Sequence, residues 1–174
     1  MILSGLQLFQ CSRNSDIEQF LKTKAADFDK QRIGRTFLIV DKEKIVPPIE
    51  SNPIEILAYF TLSSKCVEIG DQVSKSLRKK INANSSRIPA VLLAQVGKND
   101  NASGYNGHEL FCLIESFVAK TMNLIAGKLM ILECDKVEKL ICHYKSLGYN
   151  SLGDHNELHQ MYKVIDTKIC NGES

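Results

Sequence analysis

Residues whose types and spacing could do chemistry gather first in one stretch, where AVLLAQV is followed by GKNDNASGYNG and then by HELFCLIESFVAK. An apolar run, a loop dense in Gly, Asn and Ser, and an amphipathic run make a strand–loop–helix unit. Gly104 and Gly107 stand where the helix opens, so backbone N–H groups there lack intrahelical partners and sit at the positive end of the helix dipole. Such a loop suits a phosphate or pyrophosphate, and it is equally the makings of an ordinary β–α turn. It is not a Walker A loop, since no Gly-Lys-Ser/Thr follows, nor a dinucleotide GxGxxG, since the spacing differs. His155 and His159 have the i, i+4 separation of two helical metal ligands, with Asp154 and Glu157 near. That segment follows a glycine and precedes a strand-like run, so neither a helix nor a metal is expected there. Cys112 and Cys142 fall at apolar helical positions and read as buried small hydrophobes, while Cys134 follows LMILE without a nucleophile pattern around it. Arg78-Lys79-Lys80 reads as a solvated helix end that an anionic acceptor could also use.

The elements that must hold these groups alternate between strand and helix patterns. Residues 5–10 (GLQLFQ) read as a first strand, and Ser15 or Asp16 caps a helix through about Lys30, with Ile17, Phe20, Leu21, Ala25 and Phe28 at helical spacing. Thr36–Asp41 and Ile54–Leu62 read as a strand hairpin around a turn marked by Pro47, Pro48 and Pro53. Asp71–Lys80 is a short helix followed by the polar loop INANSSR, and Ile88–Val96 is a strand apolar enough to be buried on both faces. A long helix from His108 to Ile125 follows, with Leu110, Leu113, Ile114, Phe117, Val118, Met122 and Ile125 as its stripe and Gly127 as its stop. Leu129–Cys134 is a second buried strand, Val137–Ser146 a helix closed at Leu147-Gly148, and Gln160–Ile165 a last strand. This alternation is that of an α/β sheet.

With 174 residues, the chain has the length of one compact domain, at the usual ~150 per domain. Its 44% apolar and 24% charged content exclude a collagen, a coiled-coil rod and a mostly disordered chain. A net charge of +2 is too balanced for a domain whose whole surface binds phosphates. No apolar run approaches the ~20 residues that cross a bilayer, and MILSGLQLFQCSRN lacks a basic n-region and a small-residue cleavage site. The cysteines at 11, 66, 112, 134, 142 and 170 form no CxxC pair and read as reduced, which points to the cytoplasm and to no membrane partner.

The central segment resembles the GNAT superfamily of N-acetyltransferases, whose motif is a buried strand followed by Q/R-x-x-G-x-G/A opening a helix. Asn101-Ala-Ser103-Gly104-Tyr105-Asn106 occupies that frame, with Asn101 in place of Gln or Arg, Asn106 where Gly or Ala is usual, and Gly107 one place later. A one-residue shift puts Gly107 at the final glycine position. LAYFTLS (57–63) resembles the strand that precedes the acceptor site, and SDIEQFLKTKAADFD the first helix. LECDKVEKLICHYKSLGY (132–149) resembles the strand–helix–turn that ends in F-Y-x-x-x-G-F, here from His143 to Tyr149, and HQMYKVI (159–165) the closing strand. The resemblance thus runs through nearly the whole chain.

It implies a single GNAT-like α/β domain over 1–174, a twisted mixed sheet of about six to seven strands flanked by about four helices. It also implies acetyl transfer from acetyl-CoA to a primary amine by direct attack on the thioester. In that scheme the backbone of Val96, Gly97 and Lys98 pairs with the pantetheine arm and offers an N–H to the thioester oxygen. Asn101, Ser103, Gly104, Tyr105, Asn106, Gly107 and His108 would clamp the pyrophosphate. Tyr144 is the candidate acid for the departing thiolate, because a phenol of pKa ~10 can protonate it. Glu55 is the candidate base for the amine, with Glu133 or a relayed water as alternatives. Acceptors in such a family are small amines, protein N-termini, lysines or, in toxins, charged tRNA, and a homodimer is an assembly compatible with the layout. A non-catalytic acyl-CoA-binding or regulatory domain is the rival reading.

Overall fold

The computed structural model describes residues 2–45, 53–69, 73–81, 86–103, 106–125 and 127–166. Pro47, Pro48, Asp71, most of the INANSSR loop, Gly104, Tyr105 and Cys170 lie outside the described residues. Six strands form one mixed sheet in the order β1-β2-β3-β4-β6-β5, the α/β architecture that the alternation implies. The chain divides into two compact units, Met1–Ser63 with Ala94–Gly107, and Ser64–Leu93 with His108–Ser174.

The first unit begins with α1 (Ile2–Leu8), α2 (Ser15–Gln19), a π-helical turn over Phe20–Lys24 and α3 (Ala25–Lys30). Asn14 opens α2, its side chain accepting from the N–H groups of Asp16 and Ile17, one residue before the expected cap. Strands β1 (Arg35–Val40) and β2 (Ile56–Glu68) pair antiparallel from Arg35↔Leu62 to Val40↔Ile56, as the hairpin pattern predicts. Phe9, Phe20, Leu21, Ala25, Ile56 and Tyr59 pack into one apolar cluster. The Tyr59 hydroxyl donates to the Ile17 carbonyl at 2.6 Å and so ties α2 to β2. At the end of β3 (Arg87–Lys98) a Cβ on Gly97 would lie 2.6 Å from Ile17 and 2.7 Å from the Tyr59 ring, closer than real contacts allow. Glycine is needed there for packing.

The second unit holds α4 (Lys75–Lys80), the start of β3, α5 from its second residue, β4 (Leu129–Asp135), α6 (Glu138–Ser146), β5 (Asn150–His155) and β6 (Leu158–Val164). Helix α5 itself spans Gly107–Ile125. β3 and β4 run parallel from Val91↔Met130 to Leu93↔Leu132, and β4 pairs antiparallel with β6 along its whole length. Val67, Ile69, Leu77, Ala90, Leu129, Ile131 and Leu152 form this unit's apolar cluster. Leu129–Leu132 are fully buried, as an unbroken apolar run requires.

Several expectations are corrected. Residues 5–10 are not a strand: Leu6 and Phe9 turn inward together while Leu8 is 60% exposed, a helical spacing that the alternating Leu6/Leu8 pattern masks. β3 is not buried along its whole length, since Pro89 and Ala94, five residues apart and so on opposite faces, are both exposed. On α5 the inward stripe takes Phe111 rather than Leu113, which is 46% exposed, and Ile125 also faces out. Cys112 and Cys142 are exposed rather than buried. Each lies on its helix's outer face and meets a polar side chain one turn back, His108 at 3.6 Å and Glu138 at 3.3 Å. Strand β5 carried no expectation, because NSLGDH has one apolar side chain.

Candidate active site

The loop that leaves β3 is fastened at its entrance. Asn99 is 4% exposed, and its side chain donates to the Ile56 carbonyl at 2.8 Å while accepting from the N–H groups of Gln10 and Asn101. Its own N–H reaches Leu57 and its carbonyl receives Ala102. Asp100 accepts the Ser12 N–H at 2.6 Å, which holds its carboxyl below the usual carboxylate range, and Asn101 donates to the Gln10 side chain at 3.1 Å. Each N–H from Asn99 to Ala102 is therefore spent inside the first unit. Sequence reasoning missed Asn99 because its partners lie 43 and 89 residues away. A short polar residue directly after a strand was the only signal.

The expected cofactor residues Val96, Gly97, Lys98, Asn101, Ser103, Asn106 and Gly107 all fall in the first unit, together with Glu55, which immediately precedes β2. Val96, Lys98 and Glu55 are half-buried, and Gly97 is buried. Ser103, Asn106, Gly107 and His108 are exposed, at and just before the first turn of α5. Among the described residues, a Cβ on Gly107 would meet nothing within 4 Å. The first-turn amides of a helix have no intrahelical partner, and Gly107 puts no side chain of its own over them.

Tyr144 and His108 belong to the second unit. Helix α6 ends in a backbone lock: the N–H of Gly148 reaches the Lys145 carbonyl at 2.9 Å, and that of Tyr149 reaches the Tyr144 carbonyl at 3.1 Å. Gly148 adopts φ +87°, the left-handed conformation that this reversal demands. The F-Y-x-x-x-G-F-like ending is thus a helix C-cap in which the first Tyr supplies a carbonyl and the last residue packs back, Tyr144 and Tyr149 lying 6.2 Å apart. Lys163 reinforces it, donating to the Leu147 carbonyl at 2.8 Å and to both Glu115 carboxylate oxygens at 2.7 Å. A cation on the last carbonyls of a helix is favourable.

Two tyrosines of this cap differ in their hydroxyls. Tyr149 is 2% exposed and points its hydroxyl at Met130 Sδ, 3.5 Å away. Tyr144 is half-buried, packed edge-on against Phe111 of α5 at 5.9 Å, and no described residue hydrogen-bonds its hydroxyl. Burial pushes its phenol up to about 12, with the Cys134 thiol and Asp135 carboxylate adding to the shift. The group is therefore protonated at neutral pH, with its proton uncommitted among the described residues. Phe111 joins it to α5 one turn beyond His108, and neither Phe111 nor the Glu115–Lys163 pair was singled out from sequence.

Glu133 is tied down. Burial alone would raise its pKa, but the Lys65 ammonium at 2.6 Å and the Gln160 amide at 2.7 Å hold its carboxyl below the usual range. An ion-paired carboxylate is a poor proton acceptor. His155 and His159 lie on a β-hairpin rather than a helix, and no cluster of three metal-ligating side chains occurs among the described residues.

No protein-family model matches the chain, and no curated protein matches it. Solved structures do match. AtaT complexed with acetyl-methionyl-tRNAfMet is 25% identical, with a TM-score of 0.72 over 91% of this chain and 86% of that one. AtaTR bound with AcCoA is 26% identical, with a TM-score of 0.69 over 95% of this chain and 88% of that one. A KacT variant with a tyrosine replaced by phenylalanine matches in fold, at 22% identity and a TM-score of 0.72 over 95% and 89%. The order of segments, the sheet and these likenesses agree over nearly the whole length: the chain has the GNAT acetyltransferase fold and is similar to acetyl-CoA-dependent N-acetyltransferases.

Proposed function

We propose that the chain transfers the acetyl group of acetyl-CoA to a primary amine by direct attack of the amine on the thioester, and that this amine is the α-amino group of an aminoacyl-tRNA. The observation that carries the acceptor is the likeness, at 25% identity over 91% of the chain, to AtaT solved with acetyl-methionyl-tRNAfMet. The donor is supported by the AcCoA-bound AtaTR structure. In this reading residues 1–174 act as one catalytic domain in the cytoplasm, where both substrates occur.

The parts take the following roles. Amides from Ser103 to His108, including those of Gly104 and Tyr105, receive the pyrophosphate, since those of Asn99–Ala102 are already engaged and Asn101 anchors the loop. The backbone of Val96, Gly97 and Lys98 pairs with the pantetheine arm and donates to the oxygen that gains charge on attack. Glu55 takes the proton of the attacking amine, directly or through water. Tyr144 gives its proton to the departing thiolate. The burial that raises the phenol also raises a thiolate leaving beside it, so the two stay matched for transfer.

The test is thiol release from acetyl-CoA with charged tRNA, uncharged tRNA and a panel of small amines, with the acetylated aminoacyl end identified by mass. Turnover confined to charged tRNA is expected. Turnover with small amines alone overturns the acceptor, and no turnover with any amine overturns the catalytic reading in favour of a binding domain.

A further inference from the structure

Outside the proposed acetyl-transfer site, the hairpin of β5 and β6 carries a second chemical constellation. Ser151 Oγ lies 2.9 Å from His159 Nε2, and His159 Nδ1 lies 2.6 Å from Asp154 Oδ1. Asp154 is also paired with Lys136 at 3.1 Å, and its carboxyl is held below its usual range by His159 first and Lys136 second. An ionised carboxylate only accepts, so Nδ1 donates to Asp154, and in the neutral imidazole Nε2 is then the acceptor to which the serine hydroxyl donates. These are the contacts, atom by atom, of a serine nucleophile, its base and the group that orients the base.

A backbone irregularity assembles them. The ladder runs Ser151↔Met161, then Gly153↔Gln160 and Asp154↔His159, so Leu152 is an extra residue without a partner across the ladder. Cross-strand partners share a face. In an unbroken strand Ser151 and Asp154 would point to opposite faces; the bulge brings both to the face of His159. Gly153, at φ +118°, permits the local turn of the chain. Ser151 and Asp154 are exposed, while the His159 side chain is 15% exposed and so held in place. The amide of Leu152 directly follows the serine, the position from which hydrolases draw an oxyanion donor.

We propose that Ser151 is an acyl-accepting nucleophile, activated by His159 and Asp154, for small reactive carboxylic esters or thioesters. Ser151 Oγ bonds to the acyl carbon and the carbon–oxygen or carbon–sulfur bond to the leaving group breaks. The hydroxyl proton passes to His159 Nε2 and then to the departing alkoxide, phenolate or thiolate, leaving an acyl-serine. The proposal stands independently of the amine acceptor and of Tyr144.

The experiment incubates the full chain with p-nitrophenyl acetate and, in parallel, with acetyl-CoA, and maps acetylated peptides by mass. Hydroxylamine then separates labile serine esters from stable lysine amides. A hydroxylamine-labile acetyl on Ser151 is expected from at least one donor, absent in Ser151→Ala and formed about 10²-fold more slowly in His159→Gln, the low end for loss of a general base. Thermal unfolding of both variants checks that they remain folded. Acetyl on lysines but not on Ser151 overturns the proposal, as does equal labelling of Ser151 in a folded His159→Gln chain.

Discussion

Two chain reversals carry the proposed chemistry, and they are held by opposite means. The one after β3 is fastened by side chains: Asn99, Asp100 and Asn101 reach residues Gln10, Ser12 and Ile56 far away in sequence. The one after α6 is fastened by its own backbone around Gly148, with Lys163 added. A side-chain-held entrance leaves the rest of a loop open for a ligand. A backbone-held helix end fixes the carbonyl of Tyr144 inside the lock and so fixes where its ring stands. The first arrangement suits binding, the second suits a group that must meet a reacting atom.

The sharpest test of that division is Tyr144→Phe. It keeps the ring against Phe111 and removes a hydroxyl that no described residue engages, so kcat falls roughly 10²-fold while melting temperature and acetyl-CoA affinity hold. A loss of stability with intact turnover would make the α6 reversal purely structural. Asn99→Ala strips partners from the Ile56 carbonyl and the Gln10 and Asn101 amides, and costs about 2 kcal/mol in denaturant unfolding. A cost below a few tenths would show that water replaces the side chain and that the loop entrance is not anchored by it.

Gly107→Val probes the open half of the same loop. With nothing among the described residues within 4 Å of the added Cβ, the fold tolerates it, and acetyl-CoA binding weakens about tenfold by calorimetry if the pyrophosphate approaches there. Unchanged affinity would move the pyrophosphate elsewhere. Gly148→Ala, the counterpart at the other reversal, forces an alanine into the left-handed region and costs about 1 kcal/mol.

The smallest effect is acid sensitivity at the reversal that Asp100 fastens. Asp100 has its folded-state pKa depressed by the Ser12 N–H, so its contribution is present above the ordinary carboxylate pKa and is lost as pH falls through the depressed value. The bonds from the Gly148 and Tyr149 amides are backbone to backbone, with no carboxylate as acceptor. The protection factor of the Ser12 amide, exchange being compared with the intrinsic rate at each pH, should therefore fall on acidification before that of the Tyr149 amide; a simultaneous fall would show one cooperative opening.

The same contrast explains what could be read from sequence. The α6 ending was legible because a left-handed residue after a helix is written as glycine at a fixed spacing from Tyr144. The buried run of β4 and the β1–β2 hairpin were legible because their pattern is local. Asn99 was not, since nothing near position 99 names Ile56 or Gln10. Cys112 and Cys142 were misplaced because a helical stripe read from sequence can rotate by one position, and Phe111 in fact takes the inward place given to Leu113. The seven residues of α1 are too few for period to separate helix from strand.

The bulge at Leu152 bears on solubility as well. β5 lies at an end of the sheet, and an outer strand with a free row of amides and carbonyls is a template on which another chain can pair. The extra residue breaks that row's regular spacing and twists the strand, and Asp154 adds a charge to it. A change that restored an unbroken NSLGDH ladder would therefore straighten the outer edge and raise the tendency to self-associate at high concentration.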